Sequence, residues 1–259
     1  MDLGIKGRKA IICASSKGLG KACALALAEA GCDVVLNGRS ADAVEAAAEE
    51  IRAATGAKVI AVVADVGTPE GRAALVAACP DADILVNNNG GPPAKNFREL
   101  DRDAMIAGVE ANMITPIALI QALIDGMIER KFGRIINITS GSVKGPLPGL
   151  DLSSGARAGL TGFVAGVARE VAGANVTINQ ILPGAFDTDR QHAIAKGASA
   201  RTGKSFDEVW AARAAAIPAK RYGDASEFGN LCAFVASSHA GYITGQNFLI
   251  DGGVFPGAF

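Results

Sequence analysis

Short runs of apolar residues alternate with longer alanine-rich stretches along most of this chain. The apolar runs predict strands near 8–14, 33–37, 58–63, 83–87, 133–139, 175–182 and 247–250. The stretches between them predict helices near 18–31, 41–55, 68–78, 101–130, 152–173 and 224–237. Strands that alternate with helices in this way are typical of a parallel sheet with right-handed crossovers.

The strands are apolar throughout, as in Ile84-Leu85-Val86, so we expect helices to cover both faces of the sheet. The pattern therefore predicts an α/β fold with a doubly wound parallel sheet, in a single domain that spans residues 1–259. Only the segment from about 186 to 222 interrupts the alternation, with a long polar and helical insertion. Because it follows the carboxyl end of a strand, we expect this insertion to form a lid over the substrate.

Composition and charge argue against several classes of protein. The 25 basic and 26 acidic residues leave a formal net charge of −1, which provides no broad positive field for nucleic acid or an anionic membrane. The N-terminus has no apolar signal core, and no apolar run approaches the ~20 residues that span a bilayer. The two histidines, His192 and His239, show no ligand spacing, so no metal site is predicted.

The cysteines lie in apolar or helical contexts and form no CxxC pair. Their odd number and their settings predict small buried thiols, which fits a reducing cytoplasm. They stand at positions 13, 23, 32, 79 and 232. We therefore expect a cytoplasmic protein that binds neither nucleic acid nor membrane.

The first predicted strand runs into Ala14-Ser15-Ser16-Lys17-Gly18-Leu19-Gly20 and then into a helix. A glycine-containing turn between strand and helix lets backbone N–H groups and the positive helix end approach a pyrophosphate. Taken alone, Gly18-Leu19-Gly20 could be only a tight turn. The surrounding strand–helix–strand pattern favours a Rossmann-type dinucleotide site.

The end of the second predicted strand bears on the choice of dinucleotide. Gly38 occupies the position at which an acidic side chain would accept bonds from an adenosine ribose and repel a 2′-phosphate. Arg39 can bind that phosphate, and Lys17 can add a second positive charge. This favours NADP(H) over NAD(H), although both cations could instead be solvated surface charges.

Two further polar segments follow the third and fourth predicted strands, at the edge where an open sheet binds ligands. They are Ala64-Asp65-Val66 and Asn87-Asn88-Asn89-Gly90. Capping of loops by Asn and Asp is the alternative interpretation of both segments.

Together with motifs further along, these residues resemble the short-chain dehydrogenase/reductase family over nearly the whole chain, particularly its bacterial 3-oxoacyl-carrier-protein-reductase-like branch. The further motifs are Asn112, Ile138-Thr139-Ser140, Leu182-Pro183-Gly184 with Thr188, Thr244-Gly245-Gln246 and Asp251-Gly252-Gly253. The resemblance implies a homotetramer that acts on a small carbonyl or alcohol substrate.

The resemblance also implies which residues bind the dinucleotide. Phosphates are assigned to the glycine turn and the two cations, adenosine to the residues after the third and fourth strands, the carboxamide to Thr188 and the ribose to Arg157. The complete set is Ser15, Lys17, Gly18, Leu19, Gly20, Arg39, Asp65, Val66, Asn87, Gly90, Arg157, Pro183, Gly184 and Thr188.

The catalytic group departs from the family pattern of Asn, Ser, Tyr and Lys. In the family, Ser polarises the carbonyl, Tyr donates the proton, and Lys lowers the Tyr pKa and holds the nicotinamide ribose. Asn112 and Ser140 match, but Ser153 and Arg157 stand at the Tyr and Lys positions. A serine hydroxyl is a much poorer acid than a tuned phenol, and arginine is effectively always protonated. General acid catalysis typically contributes ~10²–10⁴ in rate, so its loss need not abolish hydride transfer.

Lesser departures are Cys13-Ala14, where the family has Thr-Gly, and Asn89, where it has alanine. Lys144 and Asp151 could replace the missing acid, but we expect a solvated loop charge and a helix-start residue.

The sequence therefore leaves two functions open, with a third possibility in which the substrate itself supplies the missing acid and activity is restricted to acidic or self-activated carbonyls. One is an NADP(H)-dependent oxidoreductase that interconverts a carbonyl and a secondary alcohol, with Ser140 and Ser153 at the carbonyl and Asn112 supporting a water. The other is a catalytically weak or inactive dinucleotide-binding sensor or scaffold.

The predicted lid segment, residues 186–222, contains side chains that could meet a substrate. Phe206 and Trp210 could contact an apolar portion, with packing into the core as the alternative. Its cations could meet an acidic substrate or carrier, although charged helix faces are ordinary. They include Arg190, Arg201, Lys204 and Arg213.

Overall fold

A computed structural model describes residues 1–91 and 95–257 of the chain, and a parallel sheet of seven strands forms its centre. The order across the sheet is β3-β2-β1-β4-β5-β6-β7. The strands are β1 (Lys9–Ile12), β2 (Asp33–Gly38), β3 (Val59–Val63), β4 (Ile84–Asn87), β5 (Gly133–Ile138), β6 (Val176–Pro183) and β7 (Asn247–Ile250). All seven predicted strands are confirmed, as is the doubly wound single-domain fold.

Helices cover both faces of the sheet. They are α1 (Gly18–Glu29), α2 (Ala41–Thr55), α3 (Pro69–Ala78), α4 (Arg102–Val109), α5 (Thr115–Glu129), α6 (Asp151–Val171), α7 (Asp189–Thr202), α8 (Phe206–Ala216) and α9 (Ala225–Val235). Short 3₁₀ turns occur at Phe97–Glu99, Gly141–Val143, Ala172–Ala174 and Ser238–Ala240. The predicted helix signals work locally: Thr68 Oγ1 accepts a bond from Gly71 N at 3.1 Å, and Gly56 ends α2 with φ of 69°.

Neighbouring residues of one strand point into two separate cores, as the pleat requires. Ile12 joins the core under α1, α2 and α9, whereas Ile11 joins the core under α3, α5 and α6. Full burial of one such side chain stabilises the fold by roughly 1.5–3 kcal/mol. All five cysteines are buried free thiols in these cores, as predicted.

The predicted helix at 101–130 is not a uniform α-helix. A π-helical turn, Glu110–Ile114, separates α4 from α5 and contains Asn112. The whole run Arg102–Glu129 meets the length and apolarity expected of a membrane span, but its α5 side chains Leu119, Leu123 and Met127 pack in the core. Such contacts are typical of a helix that packs in the core of a folded domain. Turns of the π type are frequent at functional sites.

The segment 186–222 contains α7 and α8 and a small aromatic cluster. Trp210 stacks on Tyr222 with ring centroids 3.9 Å apart and lies 5.7 Å from Phe206. His192 meets Trp210 edge-on at 4.6 Å, and its Nε2 lies 2.7 Å from Asp187 Oδ1. These contacts favour the packing interpretation of both Phe206 and Trp210.

Candidate active site

The strand order reverses direction between β1 and β4, which opens a crevice at the carboxyl edge of the sheet. Loops that follow β1, β2 and β3 lie on one side of it. The loops after β5 and β6 and the start of α6 lie on the other. The residues predicted to bind nucleotide and those predicted to act on substrate are therefore brought to the same edge.

The loop between β1 and α1 has the shape of an anion cradle. Gly18 has φ of +57°, and a Cβ at Gly20 would lie 2.5 Å from the Ala14 carbonyl oxygen, so both glycines are required there. Lys17 precedes α1 without a side-chain cap, and the first turn contains no acidic residue. The N–H groups of that turn can therefore bind an anion.

The buried side chain of Ser15 fixes the conformation of this loop. Its side chain is fully buried, and its Oγ donates to Ile12 O at 2.8 Å and accepts from Asn37 N at 2.9 Å. Ala14 has φ of 44°, a conformation that costs a non-glycine residue about 1 kcal/mol or more. Bonds from Ala14 N to Asn37 Oδ1 and from Asn88 Nδ2 to Ala14 O hold it there.

The loop after β6 faces the glycine loop across the crevice. Thr188 Cγ2 lies 3.8 Å from the position that a Cβ would take at Gly18. A Cβ at Gly184 would lie 2.6 Å from Asp251 Cα, so only glycine fits where this loop crosses the end of the chain. Lys17 Nζ lies 3.6 Å from Asp189 Oδ2, and both side chains are about three-quarters exposed, at 74% and 76%. A ligand can reach between the two loops.

Arg39 lies at the adenosine end predicted from the sequence. Its side chain is 82% exposed, and Nη1 is 4.0 Å from Asp65 Oδ2. An exposed pair at this distance contributes little, so Arg39 is available to a phosphate. Ser16 Oγ lies 3.1 Å from a Cβ placed at Gly38, and the sequence interpretation passed over this hydroxyl.

Five asparagines line a small cavity of about 20 Å³ beneath the edge of the sheet, among them Asn87, Asn112 and Asn137. Asn87 Nδ2 donates to Asn137 Oδ1 at 2.9 Å, and Asn112 Nδ2 donates to Gly108 O at 3.3 Å. Asn87 Oδ1, Asn112 Oδ1 and Asn137 Nδ2 have no hydrogen-bond partner among the described residues. Val66 and Arg157 also line this cavity. A cavity of this size has room for one water, and the unpaired amide atoms supply the polar partners that such a water needs.

Ser140 is oriented by a second serine. Ser142 donates to Ser140 Oγ twice, from its backbone N at 3.1 Å and from its hydroxyl at 2.9 Å. Because Ser140 Oγ accepts both bonds, its own proton can be donated outward. The Ser-Gly-Ser spacing is a common turn motif and is the signal that could have identified Ser142.

Ser153 and Arg157 form a buried pair on α6, each 8% exposed. Arg157 Nε donates to Ser153 Oγ at 3.1 Å, and Nη1 donates to Ile138 O at 2.7 Å and to Thr139 O at 2.9 Å. Arg157 Nη2 has only a long contact of 3.5 Å, to Asn89 O. Burial, assisted by the positive charge of Arg190, lowers the pKa of Arg157 to about 10. The group is therefore cationic at neutral pH.

The structure also shows the surroundings of the two substitute acids considered from the sequence. Asp151 is the exposed first residue of α6, and Lys144 Nζ lies 5.9 Å from the Phe255 ring centroid. Within residues 1–91 and 95–257, no hydrogen bond joins either to Ser140 or Ser153.

The cations of the segment 186–222 have different surroundings. Arg213 Nη2 donates to Gln191 Oε1 at 3.2 Å, and Arg201 and Lys204 are exposed. Only Arg190 approaches the crevice, where its Nη1 and Nη2 each lie 3.2 Å from the position of a Cβ at Gly91.

Comparison with known proteins gives matches over nearly the full chain. A family model described as enoyl-(acyl carrier protein) reductase matches residues 13–255. The chain is 33% identical over 259 residues to the 3-oxoacyl-(acyl-carrier-protein) reductase FabG of Vibrio cholerae, covering 98% of this chain and 99% of that protein. It is 33% identical over 251 residues to the NADPH-dependent reductase BacG of Bacillus subtilis, covering 95% and 97%.

Among solved structures, the L-sorbose reductase from Gluconobacter frateurii, in complex with NADPH and L-sorbose, matches with a TM-score of 0.94. Its identity to this chain is 31%, and the match covers 99% of this chain and 100% of that one.

Proposed function

Because the chain belongs to the short-chain dehydrogenase/reductase family, in its 3-oxoacyl-carrier-protein-reductase-like branch, we propose that it is an NADP(H)-dependent oxidoreductase. Its reaction interconverts a carbonyl and a secondary alcohol. The observation that supports this most strongly is Ser140, whose hydroxyl accepts two bonds from Ser142 and can donate to a carbonyl oxygen beside the crevice. The same hydroxyl caps the turn Gly141–Val143 through the bond from Ser142 N, and its own proton is the part that carbonyl chemistry would use.

The crevice fits the dinucleotide in shape and charge. The uncapped start of α1 suits the pyrophosphate, and the exposed guanidinium of Arg39 suits a 2′-phosphate. When bound, NADPH supplies the hydride. The residues that would hold it are Ser15, Lys17, Gly18, Leu19, Gly20, Arg39, Asp65, Val66, Asn87, Gly90, Arg157, Pro183, Gly184 and Thr188, with Ser15 and Asn87 acting chiefly through the loops they fix.

We assign the proton transfer of the reaction to Ser140 and Ser153. Ser140 would hold the carbonyl oxygen by a hydrogen bond, and Ser153 would deliver a proton drawn from solvent. Arg157 donates to Ser153 Oγ, so its positive charge lies where an alkoxide develops and stabilises it. A serine is a weaker acid than a phenol, which predicts slow turnover.

A second candidate function rests on the absence of that phenol. The sequence contains two tyrosines: Tyr222 stacks on Trp210, and Tyr242 is fully exposed. A sensor or scaffold that binds NADPH without turnover is the alternative to a slow enzyme.

Calorimetric titration with NADPH, followed by a panel of carbonyl compounds at high enzyme concentration, separates the two. The enzyme predicts turnover that falls by about 10²-fold or more in Ser140→Ala, since one positioned donor contributes that much. Tight binding with no turnover above this variant would favour the sensor.

The choice of cofactor has its own test. Arg39→Asp places a carboxylate where the 2′-phosphate would lie, so NADPH affinity should fall more than NADH affinity. Equal losses for the two cofactors would contradict the assignment of Arg39 to the phosphate.

We further propose a homotetramer in the cytoplasm, with residues 186–222 as a lid and a small molecule as substrate. Exposed apolar side chains on α4, on the π-helical turn and on α6 support self-association: Met105, Ile106, Ile114 and Phe163. Analytical ultracentrifugation at micromolar concentration tests this, and a single monomeric species would contradict it.

A further inference from the structure

Two guanidinium groups approach the same short loop after β4. Arg157 Nη2 lies 3.5 Å from Asn89 O, and both Nη atoms of Arg190 lie 3.2 Å from the position of a Cβ at Gly91. Within residues 1–91 and 95–257, no carboxylate oxygen lies within 4.0 Å of either group. Other cations at the crevice, Lys17 and Arg39, each face an aspartate.

The charge of Arg157 is buried and has only neutral partners. Its bonds go to Ser153 Oγ and to the carbonyls of Ile138 and Thr139. Burial and the charge of Arg190 both lower its pKa, which still leaves it protonated below about pH 10. An anion beside both groups would relieve the desolvation of one and the repulsion between them.

The loop between the two groups leaves room for such an anion. A Cβ at Gly90 would meet no atom of the described residues within 4 Å, so this backbone, which we also assign to the dinucleotide, is open to a ligand. Arg157 Nη2 has only its single long contact there, and the exposed Arg190 can adjust its side chain. Guanidinium groups bind carboxylates through paired, planar N–H donors.

We propose that the substrate is an oxo acid, whose carboxylate binds between Arg157 and Arg190. This rests on the carbonyl chemistry proposed above. It also explains the arginine at 157, because one lysine ammonium has three donors and could not bond to Ser153, to both carbonyls and to an anion together. The family's lysine position would then serve recognition of the substrate's charge.

Paired substrates test the charge directly. Acetoacetate and methyl acetoacetate differ in the carboxylate, so kcat/KM should be at least about 10-fold higher for the acid. Arg190→Gln should remove most of that preference, because kcat/KM should fall much more for the acid than for the ester. Arg201→Gln is the matched control, since Arg201 lies roughly 16 Å further along α7 and should keep the preference.

A binding measurement separates this inference from the proposed function. Malonate and inorganic phosphate are titrated calorimetrically into the protein with and without NADPH. Malonate should bind more tightly than phosphate and should lose about 10-fold in affinity in Arg190→Gln.

The possible outcomes distinguish the carboxylate site from the proposed reductase activity. Arg190-dependent malonate binding without turnover of either carbonyl compound supports the anion site and overturns the reductase. Equal turnover of acid and ester in the unmodified enzyme supports the reductase and overturns the oxo-acid substrate. Malonate binding that is absent, insensitive to Arg190→Gln, or weaker than phosphate binding also overturns the carboxylate site.

Discussion

Two arginines are buried at opposite ends of the interior strand β5, and their surroundings differ in an informative way. Arg134 belongs to the start of the strand, whereas Arg157 reaches from α6 to the carbonyls at its end. Burial is the main reason that the pKa of each lies near 10. By burial and pKa alone, the two groups look the same.

The hydrogen bonds distinguish them. Arg134 donates to Ser237 O at 3.0 Å, to Gly133 O at 2.8 Å and to Asn175 O at 2.9 Å, and to Asn175 Oδ1 at 3.2 Å. It also lies over the Phe132 ring, 4.3 Å from the centroid. Arg134 therefore joins separate segments of the fold, while Arg157 keeps donor capacity at a crevice. The donors that remain unused indicate the function of a buried arginine better than its burial does.

The largest effect should come from Arg134→Met. Four acceptors lose a donor, at about 1–3 kcal/mol each. Asn175 O and Ser237 O keep one backbone donor each, and removal of a buried charge offsets a further part of the loss. We expect the free energy of unfolding in urea to fall by about 3 kcal/mol. Arg201→Met on the exposed surface of α7 provides the control for loss of an arginine. A decrease of less than about 1 kcal/mol would contradict a structural role for Arg134.

Ser153→Tyr with Arg157→Lys should convert the second arginine site to the family's catalytic form. A phenol beside an ammonium is a far better acid, so turnover of a neutral ketone should rise about 100-fold, equivalent to about 2.7 kcal/mol. Steady-state kinetics at saturating NADPH measures this. Ser153→Tyr alone, with Arg157 retained, controls for the phenol without its partner. Unchanged turnover with cofactor still bound would show that α6 does not present residue 153 to the substrate.

Arg157→Met should lower the free energy of unfolding by only about 1 kcal/mol. The carbonyls of Ile138 and Thr139 lose a donor, and removal of a buried charge offsets most of that loss. The same urea experiment applies. A loss equal to that of Arg134→Met would remove the distinction between the two arginines.

The smallest expected effect is that of pH on the free energy of unfolding. For each arginine the pKa is about 10 in the folded protein, below its ordinary 12.5, so stability due to this group can rise only as pH increases through 10. Below that pH both folded and unfolded forms are protonated. The stability difference between the native protein and either methionine variant should therefore stay constant from pH 6 to pH 9. A midpoint inside this range would indicate coupling to another titrating group.

Much of the fold could be predicted because it depends on local pattern. Continuous apolar runs gave every strand, and Thr68 and Gly56 marked helix ends through their own backbone geometry. The π-helical turn was missed because a helical repeat averaged over thirty residues does not register one extra residue. The length of the first strand was overestimated, since β1 ends at Ile12 and the chain turns at Ala14.

The candidate site was predictable only in part. Glycine spacing located the crevice, and the positions of Ser153 and Arg157 on α6 followed from counting along a motif. Long-range contacts were beyond the sequence. Arg190 and Arg201 are indistinguishable as charges on one helix, and only the fold brings Arg190 against Gly91.

The π-helical turn Glu110–Ile114 changes the rotational position of the side chains of α5 relative to those of α4. An α-helix advances by about 100° per residue, so one surplus residue would rotate every later side chain off the core. The wide turn absorbs that rotation, and α5 keeps its apolar face on the sheet. Loss of a single residue here would leave both helices packed while withdrawing the bulge that holds Asn112. The extra residue of this turn therefore shapes the edge of the crevice around Asn112 and adds nothing to the packing of the helices.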